Sequence, residues 1–292
     1  MTPTKETEFV RFGPSGNDVL FYEQGGKSSV QAPAWVAALG LSAYEVNFGR
    51  GIRLSDGMAA QIGAEAAKHN VQISAHAPYF INLASPDRDA IKKSYGYIHK
   101  SLKLLKIMGG ERLVIHIGSQ GELSREVALA NCEKNLRWVI SELDRDKVTG
   151  FLLCIETMGR YRAIGSYQEI CKLCEHDPRI IPTLDFGHIN CTIQGAFQRN
   201  PEVRFKEVMD YVECMLGREK FKKIHMHYSA VTYTEKGERK HTTLDDAKWA
   251  FPFEPLAKII KQRGIYPTII CESQSIMAQD AAKLKKIYDK VK

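Results

Sequence analysis

The sequence predicts a single (β/α)8 TIM barrel spanning residues 1–292. Three observations carry that expectation. Eight short, β-branched apolar runs punctuate the chain, and a longer segment of helical periodicity follows each one. Strands that alternate with crossover helices build a parallel sheet buried on both faces. Eight such units over 292 residues suit a closed barrel. An open doubly wound sheet would carry a glycine-rich phosphate turn after an early strand, and the chain has no convincing GxGxxG.

In order, the first strand is "FVRFG" (9–13), followed by helical "SVQAPAWVAALG". The second is "AYEVNFG" (43–49), followed by "GMAAQIGAEAAKHN". The third, "VQISAHAP" (71–78), leads to "IKKSYGYIHKSLKLLKIMG", and the fourth, "RLVIHIG" (112–118), to "REVALANCEKNLRWVISELDRD". The fifth, "GFLLCIET" (150–157), precedes "SYQEICKLCEHD", and the sixth, "IIPTLDFG" (180–187), precedes "NPEVRFKEVMDYVECMLG". The seventh, "KKIHMHYS" (222–229), connects through "WAFPFEPLAKIIKQRG" to the eighth, "YPTIICES" (266–273). A last helix, "AQDAAKLKKIYDKV", closes the chain, and no linker rich in Pro, Gly or Ser divides it.

Composition is that of a globular protein, 44% hydrophobic and 26% charged. No apolar stretch approaches the roughly 20 residues needed to cross a bilayer, and "MTPTKETEFVRF" lacks an apolar signal core. A cytoplasmic protein with no membrane partner is therefore expected. Seven cysteines, an odd number, read as buried reduced side chains rather than a disulfide framework. The lone CxxC, Cys171 to Cys174, lies in a helical pattern and is weak grounds for a redox or metal role. The net charge of +7 is compatible with a polyanionic partner. Its basic clusters, "REKFKK" and "KSLKLLK", are equally well read as solvated helix faces.

Catalytic sites of such barrels gather at the carboxyl ends of the strands. There the chain places His76, His116, Glu156, Asp185 with His188, His225 with His227, and Glu272, from six consecutive strands. Buried imidazoles and carboxylates cost several kcal/mol unless paired or bound to a cation. Their concentration at one rim makes sense if metal ions fill it. Nitrogen and carboxylate ligands suit zinc, manganese or iron.

These residues sit in stretches that resemble the endonuclease IV family of apurinic/apyrimidinic endonucleases, especially its archaeal-type members. The matching segments are "SAHAPYFINLA", "LVIHIGS", "IET", "TLDFGHINC", "IHMHYS", "KHTTL" and "CES", in the family's order from the third strand to the eighth. The resemblance implies a barrel holding two to three zinc ions, with manganese as an alternative. It implies hydrolysis of the phosphodiester 5′ to an abasic site in damaged double-stranded DNA. Carried over residue by residue, one ion falls to His76, His116 and Glu156. A second shares Glu156 and adds Asp185, His225 and Glu272. The third uses His188 and His241. The family's third-site carboxylate position is Arg239 here, with Glu238 adjacent. His227, two residues after His225, points to the same side of the strand, as an extra ligand, a phosphate contact or a packed residue. Glu272 and Glu156 are the expected catalytic residues, and Tyr79 and Arg50 the expected DNA contacts. A monomer is expected. The rival reading is a metal-dependent sugar isomerase or epimerase using Glu156, Asp185, His225 and Glu272 on the same barrel. The additional histidines argue against it.

Overall fold

All eight apolar runs fold as parallel strands of one sheet in a computed structural model that describes residues 9–292. Residues 1–8, most of the segment read for a signal core, lie outside the described residues. The strands are β1 (Arg11–Pro14), β2 (Ala43–Asn47), β3 (Gln72–His76), β4 (Arg112–Ile115), β5 (Leu152–Glu156), β6 (Ile180–Asp185) and β7 (His225–His227). An antiparallel hairpin follows, β8 (Val231–Thr234) and β9 (Gly237–His241), before the last barrel strand, β10 (Thr268–Cys271). The order β1-β10-β7-β6-β5-β4-β3-β2 is that of a nearly closed eight-stranded barrel. Its ends meet where Ser42 N donates to Phe12 O at 3.0 Å and Ser15 bridges Glu45. Gly13 permits that approach, since a Cβ there would lie 1.7 Å from Ala43 O.

The helices form as the periodicity predicts, and their ends carry local signals. Ser55, Ser124 and Ser166 each accept a backbone N–H from the first turn of the helix they precede. At Ser166 the cap is reciprocal, because Glu169 reaches back to the Ser166 N–H. The helix Pro201–Phe221 breaks at Gly217, where φ is 73°. Among the described residues no helix is long and apolar enough to cross a membrane.

The alternation of strand side chains divides the core in two. Outward-facing residues pack against the helices in one large apolar cluster that includes Phe12, Ile73, Leu113, Leu153 and Leu184. Inward-facing residues make a separate, small plug of Val114, Cys154 and Ile181. Continuing inward along the same strands, two residues on, come His116, Glu156 and Thr183. On β4, β5 and β6 the interior therefore turns from apolar to polar toward the carboxyl ends of the strands.

Candidate metal centre

Glu156 ends β5, fully buried, with four imidazoles around its two oxygens. His76 Nε2 and His116 Nε2 each lie 3.0 Å from Oε2. His188 Nδ1 and His227 Nδ1 each lie 3.3 Å from Oε1. These and the neighbouring side chains form three ligand groups at the rim, His76–His116–Glu156, Glu156–Asp185–His227–Glu272 and His188–Glu238–His241, with a fourth, Glu45–His225–His227, beneath them. Within each group the candidate ligand atoms lie within 4.8 Å of one another. Glu156 belongs to two groups, as a bridging carboxylate would.

The local chemistry fits cations. His76 Nδ1 lies 2.9 Å from Ala77 O, and a carbonyl only accepts, so Nδ1 carries a proton. Nε2 then faces a carboxylate oxygen either as a second donor or as a lone pair sharing a cation with it. Asp185 Oδ1 accepts from His188 N at 2.7 Å at the start of the helix Phe186–Thr192, while its buried Oδ2 has no hydrogen-bond partner. His241 Nδ1 lies 2.9 Å from Ser229 Oγ, which leaves Nε2 to face the site. Without ions the charges perturb one another strongly. Burial works against a charged His76, yet Glu156 outweighs it and raises the imidazole to about 9. Burial likewise opposes charge on Glu272, but His227 brings it down to about 2. Burial, unopposed by enough positive charge, raises Asp185.

The structure brings His76, His116, Glu156, Asp185, His188, His241 and Glu272 into the rim groups. It places His225 in a fourth group, with Glu45 and His227, rather than with Asp185 and Glu272. The partner strands set the register, pairing Thr183 and Thr268 with His225, and Asp185 and Ile270 with His227. His225 thus sits two residues, about 6.6 Å, below the Asp185 level. There its Nε2 meets Glu45 Oε2 at 3.1 Å. His227 takes the place beside Glu156, Asp185 and Glu272.

The hairpin resolves the Arg239 departure. Thr232 pairs with Lys240 and Tyr233 with Glu238, so Arg239 is the extra residue of a β-bulge. A bulge shifts the in-out alternation by one, which puts Glu238 and His241 on one side. Glu238 Oε2 lies 3.5 Å from His188 Nε2. Gly237, at φ 90°, lets the hairpin close on the β5 loop, where Glu238 N donates to Gly159 O at 2.9 Å.

Above the groups opens a cavity of about 1020 Å³. Tyr79 lines it, half exposed, its ring stacked on His116 with centroids 6.5 Å apart. Arg50 is exposed on the loop after β2 and does not line the cavity. Three cations missed in the sequence do: Arg160, Arg162 and Lys240. Their only sequence signal is position, just past the strand-five ligand and beside His241. The basic cluster 218–223 lies before β7, at the amino ends of the strands, where Arg218 bonds Glu213 and Lys222 bonds Glu219. Cys171 and Cys174 are buried and unbridged on the helix Tyr167–Cys174. Burial pushes the Cys171 thiol up to about 12, and neither cysteine joins a ligand group among the described residues.

A family profile described as "Xylose isomerase-like TIM barrel" matches residues 33–287. An uncharacterized protein of Methanocaldococcus jannaschii is 30% identical over 253 residues, covering 87% of this chain and 89% of that one. A probable endonuclease 4 of Mycoplasma pneumoniae is 28% identical over 208 residues, covering 68% and 67%. Among solved structures, endonuclease IV from Thermus thermophilus superposes with a TM-score of 0.66 at 19% identity, covering 96% of this chain and 97% of that one. A D-tagatose 3-epimerase-like protein superposes with a TM-score of 0.70 at 21% identity, covering 96% of each chain. At those identities the structural likeness speaks for the fold alone. The profile match over most of the chain, with sequence relatives that include the endonuclease 4 proteins, places it: the chain belongs to the xylose isomerase-like TIM barrel family.

Proposed function

We propose that the protein is a metal-dependent endonuclease that hydrolyses the phosphodiester 5′ to an abasic site in duplex DNA. The carrying observation is the number of ligand groups. Glu156, Asp185, His227 and Glu272 suffice for one ion; His76 with His116, and His188 with Glu238 and His241, extend the cluster to a multinuclear one. Zinc fits these nitrogen and carboxylate donors best, with manganese second. Divalent ions there would acidify water and neutralise charge on phosphoryl oxygens.

The side chains of the chain divide the remaining work. Glu156 presents one oxygen to each of two groups and keeps their spacing fixed. Glu272 is held as a carboxylate at the open edge of its group, which suits it to orient the attacking water. Arg160, Arg162 and Lys240 line the mouth, where they would bind flanking phosphates. Tyr79 stands beside His116, placed to pack on the extruded sugar or its neighbour. An abasic nucleotide is cheap to extrude because it has no base to unstack.

A sugar epimerase reading has one observation in its favour: the Glu156–Asp185–His227–Glu272 group pairs two glutamates around a single ion site. Elemental analysis of protein purified without chelator, combined with incubation on an abasic duplex, separates the two. Two or more ions with nicking supports the nuclease; one ion or fewer without nicking sinks it.

A further inference from the structure

Beneath the three upper ligand groups lies a second polar layer, centred on Glu45, which with His225 and His227 forms a fourth cluster of ligand-type atoms. Glu45, in the middle of β2, is fully buried inside the barrel. Its Oε2 accepts from Ser74 Oγ at 2.8 Å and lies 3.1 Å from His225 Nε2. Its Oε1 lies 3.1 Å from His227 Nε2. Neither of those two atoms has a hydrogen-bond partner among the described residues. His227 thus faces a carboxylate at each ring nitrogen. Nε2 faces down to Glu45, and Nδ1 faces up to Glu156 Oε1 at 3.3 Å, Glu272 Oε2 at 3.6 Å and Asp185 Oδ2 at 3.8 Å.

A cation among the three upper carboxylates would need the Nδ1 lone pair, and Glu45, which offers only acceptors, would then take the ring proton at Nε2. The lone pair then points among three carboxylates, where a cation is wanted. The other tautomer would aim an N–H there and offer no ligand. We propose that Glu45 is a positioning residue that selects the ligating tautomer of His227, with Ser74 and His225 holding its carboxylate in place. The arrangement gives His225 a role at its position outside the three upper ligand groups. It rests on the reading of the upper cluster as a metal centre, and it applies equally to nuclease and epimerase chemistry.

The test uses the full chain loaded with zinc. In wild-type protein with labelled histidines, nitrogen NMR should show a slowly exchanging His227 Nε2–H shifted downfield by a carboxylate acceptor. In Glu45→Ala that signal should shift upfield or vanish, and one zinc should pass to a chromophoric chelator with 10- to 100-fold weaker retention, as expected for loss of an outer partner of a metal-bound histidine. The remaining ions should keep wild-type release. Glu45→Gln retains an acceptor oxygen and should recover most of both readouts. The proposal is overturned by a wild-type His227 with no Nε2–H, which can be read even if Glu45→Ala does not fold. Unchanged zinc release from Glu45→Ala would also overturn it, as would equal losses in both variants. Loss of an extra equivalent of zinc from Glu45→Ala would make Glu45 itself a ligand and equally sink the idea. None of these readouts involves DNA or a sugar. A chain that behaves as expected here yet cleaves nothing would leave this inference standing and overturn the nuclease reading.

Discussion

Substituting Glu156 by Gln tests the bridging carboxylate at the atom level. The two oxygens divide their neighbours, with Oε2 serving His76 and His116 and Oε1 serving His188 and His227. An amide keeps one oxygen and replaces the other with a donor that cannot ligate a cation. Whichever way it turns, one ligand group loses its share and both lose the negative charge. A charge-assisted interaction is worth about 1.5–3 kcal/mol, so the group facing the amide nitrogen should release its ion with roughly 10- to 150-fold weaker affinity. The fold should persist, since Glu156 lies apart from both the outer apolar cluster and the Val114–Cys154–Ile181 plug. Competition with a chelator of known affinity, followed by elemental analysis, gives the number and strength of the retained ions, and circular dichroism reports the fold. A folded Glu156→Gln protein that keeps every ion at wild-type affinity and turns over normally would refute the bridging assignment.

Further outcomes follow from the same geometry. Glu238→Ala should make one ion markedly more labile, by at least about tenfold, because Glu238 is the carboxylate of the third group; Arg239→Ala should leave that ion in place, and chelator titration compares them. Tyr79→Ala should leave metal content intact but lower discrimination between abasic and intact duplex, by roughly 5- to 150-fold if stacking worth about 1–3 kcal/mol is lost; competition binding measures it. The loss of stability at rising pH should disappear on metal loading. In the metal-free chain His76 is raised from 6.5 to about 9, so its pairing stabilises the fold fully below pH 6.5 and that contribution is lost as pH rises through about 9. Bound ions need neutral imidazoles, so the loaded protein should gain stability as pH rises towards about 6.5 and then hold level where the metal-free chain loses it. Thermal melts of the two forms between pH 6.5 and 9.5 decide it, and parallel curves would contradict the assignment.

Most of the barrel is legible in the sequence because each strand is buried on both faces and writes an apolar run. The ligands are legible because an imidazole or carboxylate that ends such a run has no cheap explanation. The choice between His225 and His227 is not, since both point inward and only the pairing of Thr183 and Asp185 with them fixes their heights. The bulge at Arg239 is equally hidden, because "GERKH" contains nothing that announces which residue leaves the ladder. Glu45 escapes notice for a different reason. A lone carboxylate within "AYEVN" reads as a solvated strand residue, and its burial depends on Ser74 and on two histidines some 180 residues away. Arg50 drew attention through its position after strand two, but the loop carries it outward, whereas Arg160, Arg162 and Lys240 reach the cavity.

The most direct test of the account is incubation of zinc-loaded protein with a labelled duplex carrying one tetrahydrofuran abasic analogue, which blocks β-elimination and leaves only hydrolysis. The account predicts a single nick on the 5′ side of the lesion, leaving a 3′ hydroxyl and a 5′ sugar phosphate, untrapped by borohydride and falling steeply with added salt as phosphate contacts are screened. No cleavage by fully metallated protein, together with epimerisation or isomerisation of a ketose or aldose, would contradict it.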